Sequence, residues 1–346
     1  MLWSLLDTLE FIAPKLNNKL VSPQAFSNVV AIANRLPNAI SSFILESRVG
    51  ENDSRVDFST CVIASEDGQN ILVDFLNNSS NTLTENPLWN NIREFCIHWA
   101  DQTSILYGNI PFIWLEFDLD YEPMKAMPVP SVFISLDRTQ SANFNPKIYR
   151  YDIPKCQKAV EMSLELLNRP VSSKIQQNLS ACLELLPDKE RLPHIGVMLS
   201  RQSDSIRITV NIPEDRVLEY LTCVGWTGQM TFVKEILTKF YSCRMSKILV
   251  SLDIADTILP DIGIEFGFHT LSQTDLKALL FFDRLEKFGL CTSEKHNALL
   301  SWSGFSWETY PGDSWPTKLW RSISHIKILS RSGSPLMAKA YLWFSP

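Results

Sequence analysis

The sequence predicts an α+β protein: a ten-stranded antiparallel β-barrel made of five hairpins, with pairs of helices around it. Three observations lead there. Two-residue alternation recurs in five separate blocks, two helical segments stand between successive blocks, and in each block one face is apolar while the other carries charge. An open antiparallel sheet of that size would leave two unpaired edges, and closing it removes both. The apolar faces then lie outward beneath the helices. The polar faces line a lumen wide enough to hold a ligand.

The chain opens with "MLWSLLDTLEFIAPKL", apolar enough to suggest a signal peptide. Asp7 and Glu10 interrupt it, and it lacks a basic n-region and a small-residue cleavage site, so an amphipathic helix is expected. A second helix follows in "SPQAFSNVVAIANRLP", where Ser22 caps and Pro23 suits the first turn. The first hairpin, "SSFILESRV" with "RVDFSTCVIA", sets Phe43, Leu45, Val56 and Phe58 against Glu46, Arg48, Arg55 and Asp57. Helical segments "GQNILVDFLNN" and "NPLWNNIREFCIHWADQ" lead to the second hairpin, Phe112 to Asp137, in which Ile113, Leu115 and Phe117 oppose Trp114, Glu116 and Asp118. After two more helices, "HIGVMLSRQSDSIRITVNIP" places Ile206, Ile208 and Val210 opposite Arg207, Thr209 and Asn211. "KILVSLDIADTILPDIGIEFGFH" repeats the design with Ser251, Asp253, Glu265 and His269 on the polar side. The last hairpin, "SHIKILSRSGSPLMAKAYLWF", carries His325, Lys327, Lys339, Tyr341 and Trp343 on that side. Before it, "SWSGFSWETYPGDSWPTKLW" crowds Trp302, Trp307, Trp315 and Trp320 into one loop, expected to pack over an end of the barrel.

Bulk properties narrow the function. A formal charge of -6 and a pI near 5.5 leave no basic footprint, which argues against nucleic acid or an anionic membrane as the main partner. No stretch reaches the roughly 20 uncharged apolar residues a membrane span needs. Seven scattered cysteines, none in C-x-x-C spacing, support neither a disulfide framework nor a structural zinc site, so a cytoplasmic protein is expected. The sequence contains no G-x-G-x-x-G after a strand, no G-x-x-x-x-G-K-[ST], no H-E-x-x-H and no G-x-S-x-G, so nucleotide-driven, zincin and α/β-hydrolase chemistry lack support.

Five strand pairs alternating with helix pairs resemble the barrel of the soluble aromatic prenyltransferases, the ABBA or PT-barrel family; the resemblance is topological and covers nearly all of the chain, so residues 1–346 are expected to form a single domain. Local features agree. "WLEFDL" resembles the glutamate-bearing strand of the fungal indole prenyltransferases, with Glu116 at the matching position. "KAY", Lys339 to Tyr341, resembles the Lys-x-Tyr pattern that grips the prenyl diphosphate, and Arg207 in "SIRITV" resembles a further cation of that set. The resemblance implies transfer of a prenyl group from an allylic diphosphate to an aromatic small molecule or peptide. No cofactor is required, and Mg²⁺ is compatible through oxygen ligands.

Such chemistry has definite needs. Cations must meet the diphosphate, and Arg48, Arg55, Arg207, Lys327 and Lys339 are the candidates; aromatic rings must shelter a carbocation, and Trp114, Tyr341 and Trp343 can. A carboxylate must orient the acceptor and take its proton, for which Glu116 or Glu265 serves, with Asp118, Asp253 and His325 completing the substrate-binding set. No residue is assigned to a metal.

The sequence also departs from the family. "SVFISLDR" reaches Arg138 only at its end, with Asp137 where the family carries arginine, tyrosines on the polar faces are few, and acids there are many. Lys327, Lys339 and Arg207 can equally pair with Glu265, Asp253 or Glu46 across neighbouring strands, in any combination. Three alternatives stay open: a helix-backed open sheet, two domains split near "RPVSSK", and a barrel that binds or tailors a basic peptide or acts as a non-catalytic scaffold.

Overall fold

The structure, a computed structural model, describes all residues except 1–3, 39, 51–53, 79–82, 84–85, 121, 137–151, 188–193, 202, 241–247, 269–275, 310–313 and 346. Asp137, Arg138 and His269 therefore lie outside the described residues.

Two helices, α1 (Leu5–Ile12) and α2 (Pro23–Ala33), precede the first hairpin, β1 (Ile40–Arg48) and β2 (Val56–Ile63). Then come α3 (Gly68–Asn78), α4 (Pro87–Ala100), β3 (Phe112–Phe117) and β4 (Ser131–Ser135). The middle holds α5 (Ile153–Leu166), α6 (Ser173–Glu184), β5 (His194–Val197), β6 (Ile206–Ile212), α7 (Val217–Cys223) and α8 (Met230–Phe240). The chain continues through β7 (Ile248–Ile254), β8 (Ile258–Gly267), α9 (Leu276–Lys287), α10 (Ser293–Trp302), β9 (Gly304–Glu308), β10 (Thr317–Ser330) and β11 (Met337–Ser345). Side-chain caps fix several helix starts. Ser4 and Asp7 form a reciprocal capping box on α1, and Ser22, Asn86, Asp152, Ser172 and Thr292 each accept a backbone N–H at the start of a helix.

Every consecutive strand from β1 to β8 pairs antiparallel with the next, β8 pairs with β10, and β10 with β11. The ring closes through β11 on β1, in register from Phe43↔Phe344 to Arg48↔Lys339. Ten strands therefore form a closed barrel rather than an open sheet. The outward residues, such as Leu45, Phe58, Ile208, Val210, Ile264 and Ile326, are fully buried between barrel and helices. That shell is where the core sits. Trp99 from α4 is typical: it has no exposure, and its indole Nε1 donates to the Ile110 carbonyl at 2.8 Å, so the ring is buried without stranding its donor. Among the described residues no helix is long and apolar enough to cross a membrane.

One expectation is corrected. The tryptophan-rich segment is not a loop packed on the barrel end, because Gly304–Glu308 forms β9, an extra strand paired with the first part of β10 outside the ring. Trp302 is buried at the end of α10, but Trp307, Trp315 and Trp320 are 61%, 81% and 46% exposed. Alternation on β9 turns Phe305 and Trp307 to the same open face as Lys318 and Trp320, and the Lys318 ammonium sits 4.0 Å above the Phe305 ring and 3.7 Å above Trp320.

Candidate active site

Period-two alternation sends one side chain in two into the lumen, and the register then decides which of them meet. Glu46 stands opposite Asp57 on β2 and Tyr341 on β11; Ser59 opposite Glu116; Arg207 opposite Asp253; Glu265 opposite Lys327; and Arg48 opposite Lys339. The lumen holds a cavity of about 360 Å³ whose wall includes Glu46, Trp114, Glu116, Arg207, Glu265, His325, Lys327, Lys339 and Tyr341. Two glycines make room for residues of that wall. A Cβ on Gly196 would lie 2.5 Å from the Phe133 ring, and one on Gly263 would lie 2.4 Å from Cε of Lys327.

The charges form three clusters. In the first, the Lys339 ammonium donates to Glu46 and lies 3.4 Å from Asp57, which Arg48 also approaches at 3.3 Å. Burial works to raise the Glu46 carboxyl, but Lys339 and a hydrogen bond from Tyr341 overcome it and hold the group far below the usual carboxylate range. Asp57 goes the other way. Burial and the Glu46 charge push it up to about 6 against Lys339 and Arg48. The Tyr341 hydroxyl, buried and close to Glu46, is pushed well above its ordinary value and stays protonated.

The second cluster joins β3 to the β5–β6 turn. Arg201 donates through Nε and Nη2 to Asp118 at 2.9 and 2.6 Å, and through Nη2 to Glu116 at 2.8 Å. Burial opposes ionisation of Asp118, but Arg201 and Ser200 outweigh it and lower the group. Glu116 is pushed up to about 7, first by burial and then by the Glu46 charge, in spite of Arg201. A carboxyl tuned to that value exchanges protons near neutral pH.

In the third, Lys327 donates to Glu265 at 2.8 Å and Arg207 makes a two-pronged contact with Asp253 at 2.8 and 2.9 Å. Burial of Glu265 is outweighed by Lys327, His325 and Ser251, which lower it to about 2. His325 stacks on Tyr341 with ring centres 3.8 Å apart, and burial lowers it despite the nearby Glu265, so its imidazole is neutral at pH 7.

The expected residues thus divide. Glu116, Glu265, Arg207, Lys327, Lys339, Tyr341, Trp114 and His325 line one cavity. Arg48, Asp118 and Asp253 lie behind it as partners of other charges. Arg55 precedes β2 and Trp343 is half-buried, and neither belongs to the cavity wall. Sequence reasoning missed Phe133, His194, Arg201, Leu249 and Arg331 in that wall. Phe133 and His194 were accessible from parity, since Phe133 stands opposite Trp114 and Gly196, and His194 stands opposite Thr209; Arg201 was not, because it follows the end of β5 and reaches in from a turn.

No family model matches the chain, and no curated protein matches its sequence. Solved structures do match. The chain is similar to the prenyltransferase AnaPT from Neosartorya fischeri with a TM-score of 0.59 and 10% identity, over 98% of this chain and 94% of that one. It is similar to the prenyltransferase PriB with a TM-score of 0.55 and 10% identity over 97% and 93% of the chains, and to the prenyltransferase NotF, complexed with brevianamide F, with a TM-score of 0.54 and 15% identity over 97% and 91%. The barrel expected from the sequence is therefore the one these aromatic prenyltransferases share.

Proposed function

We propose that the chain is an enzyme transferring a prenyl group from an allylic diphosphate to an aromatic acceptor, either a small molecule or an aromatic side chain in a peptide. The observation that carries this reading is Glu116: a carboxyl pushed up to about 7, beside Trp114, in the wall of a cavity that also holds Arg207, Lys327 and Lys339. The allylic C–O bond breaks, and its electrons leave with the diphosphate toward those three cations. Trp114, Phe133 and Tyr341 face the carbocation, an aromatic carbon of the acceptor attacks it, and Glu116 takes the proton that carbon loses. Fold-level support comes from PriB, solved with L-tryptophan and dimethylallyl thiolodiphosphate. Among the described residues no three metal-ligating side chains converge. The six described cysteines are free thiols, which fits a cytoplasmic setting.

One observation favours a second reading. Arg48, Arg201, Arg207, Lys327 and Lys339 each touch a carboxylate already, as suits a barrel that binds an uncharged or basic ligand, peptide included, without prenylating it. Calorimetric titration of the full chain with dimethylallyl thiolodiphosphate, with and without Mg²⁺, separates the two. Saturable binding that is lost in the paired variant Glu46→Gln/Lys339→Met supports prenyl transfer; no heat at millimolar ligand in either buffer refutes it and leaves the second reading.

A further inference from the structure

The β5–β6 turn delivers a cation to the candidate base from outside the strand pattern. Ser200 Oγ donates to Asp118 at 2.5 Å and shares a 2.7 Å hydrogen bond with the buried Ser131 on β4, so the turn is tied to two strands. Asp118 then grips Arg201 through Nε and Nη2, which fixes the plane of the guanidinium. The same Nη2 reaches Oε1 of Glu116 at 2.8 Å, and among the described residues no donor meets Oε2.

We propose that Arg201, clamped by Asp118, is the positioning residue for Glu116, holding one carboxylate oxygen so that the other is presented to an acceptor in the cavity. Its catalytic meaning rests on Glu116 acting as the base, but the arrangement itself does not. A side chain with one oxygen pinned has lost most of its torsional freedom before the acceptor arrives, which is how a base is held within reach of the proton it removes. The clamp also grades charge. The charged and titratable groups facing Glu116 are Glu46 on β1, Asp118 just past the end of β3, Arg201 from the turn, Arg207 on β6, and Lys339 and Tyr341 on β11; its direct neighbours on β2 and β4 are Ser59 and Ser131. Of these only Arg201 donates a hydrogen bond to it, and Asp118 draws that cation away. The two partners therefore pull the proton affinity of Glu116 in opposite directions, whereas a clamp that merely tied the turn down would not.

The test needs no substrate. Full-length protein labelled with ¹³C-carboxyl glutamate is titrated by NMR, the Glu116 signal being the one lost in Glu116→Gln. Arg201→Gln is expected to raise the midpoint by about one unit or more, and Asp118→Asn, which hands Arg201 wholly to Glu116, to lower it by about as much. If Arg201→Gln proves too unstable to titrate, Asp118→Asn decides alone. Midpoints unchanged, or moved in the same direction, overturn the proposal even if the protein binds prenyl diphosphate; opposite shifts uphold it even if it does not.

Discussion

Lys339 stands between two carboxylates that are almost fully buried, so replacing it with methionine, which keeps the length but not the charge, isolates an electrostatic cost. Glu46 and Asp57 are each 2% exposed and Lys339 is 6% exposed. Removing one partner of a buried pair costs about 3–5 kcal/mol, because the remaining charge is left uncompensated. Unfolding entropy of about 2.1 cal/mol/K per residue over 346 residues gives about 730 cal/mol/K, so the melting temperature should fall by about 4–7 °C. The sign of its pH dependence follows from Glu46. In the native protein its folded pKa is depressed, so it contributes stability above the unfolded value of 4.5 and loses it as pH falls. In Lys339→Met only the Tyr341 hydrogen bond and the charge of Lys327 still oppose burial, the folded pKa is expected to rise above the unfolded one, and the penalty is relieved by protonation as pH falls through it. The gap in melting temperature between the two proteins should therefore narrow from pH 8 to pH 5. Adding Glu46→Gln removes the stranded charge and should recover most of the loss. Thermal melts of all three proteins across that range check this; equal melting temperatures at pH 8, or a gap that persists unchanged at pH 5, would refute the reasoning.

Other outcomes follow from the same geometry. Glu116→Gln should lower prenyl transfer by about 10²–10⁴-fold while leaving thiolodiphosphate affinity within about twofold, measured by product formation beside calorimetry. The activity of the native protein should rise with pH through about 7 as Glu116 loses its proton, and that limb should vanish in the variant. Gly196→Ala places a Cβ against Phe133; the ring must tilt into the cavity or strain its strand, costing about 1–3 kcal/mol and weakening ligand binding. Trp315→Ser, at 81% exposure, should change stability by less than about 0.5 kcal/mol in a denaturant titration.

The barrel was legible because parity along a strand is a local property. "SIRITV" announces which residues face which way without reference to any other strand, and five such blocks with helices between them leave few architectures. Register is not local, so the meeting of Glu46 with Lys339 across 293 positions was open as one pairing among several. The contribution of Arg201 was hidden for a different reason. It lies past the last paired residue of β5, where alternation stops assigning faces, and only the turn's bonds to Ser131 and Asp118 aim it at Glu116. β9 was missed because its pattern, Phe305 and Trp307 outward, matched an aromatic loop as well as a strand, and what distinguishes them is the length of β10, whose first residues extend beyond the ring to pair with it.

An ion-paired lumen and a diphosphate substrate are compatible under one condition. Cations left bare in a barrel interior would be costly to desolvate, whereas paired ones are held ready. An arriving diphosphate must then displace carboxylates, and a displaced carboxylate left buried would return the cost unless it took a proton. Glu265 and Glu46 resist this, being held low by Lys327 and Lys339. Asp57, already raised to about 6 and 3.4 Å from the Lys339 ammonium, yields more readily than either of them. On the proposed function, thiolodiphosphate binding at pH 7.5 should take up about one proton, read from titrations in buffers of different ionisation enthalpy. Affinity should fall as pH rises, and Asp57→Asn should abolish both the uptake and the pH dependence. Binding without uptake would mean that the carboxylates keep their cations and that the diphosphate is held elsewhere than against Lys339.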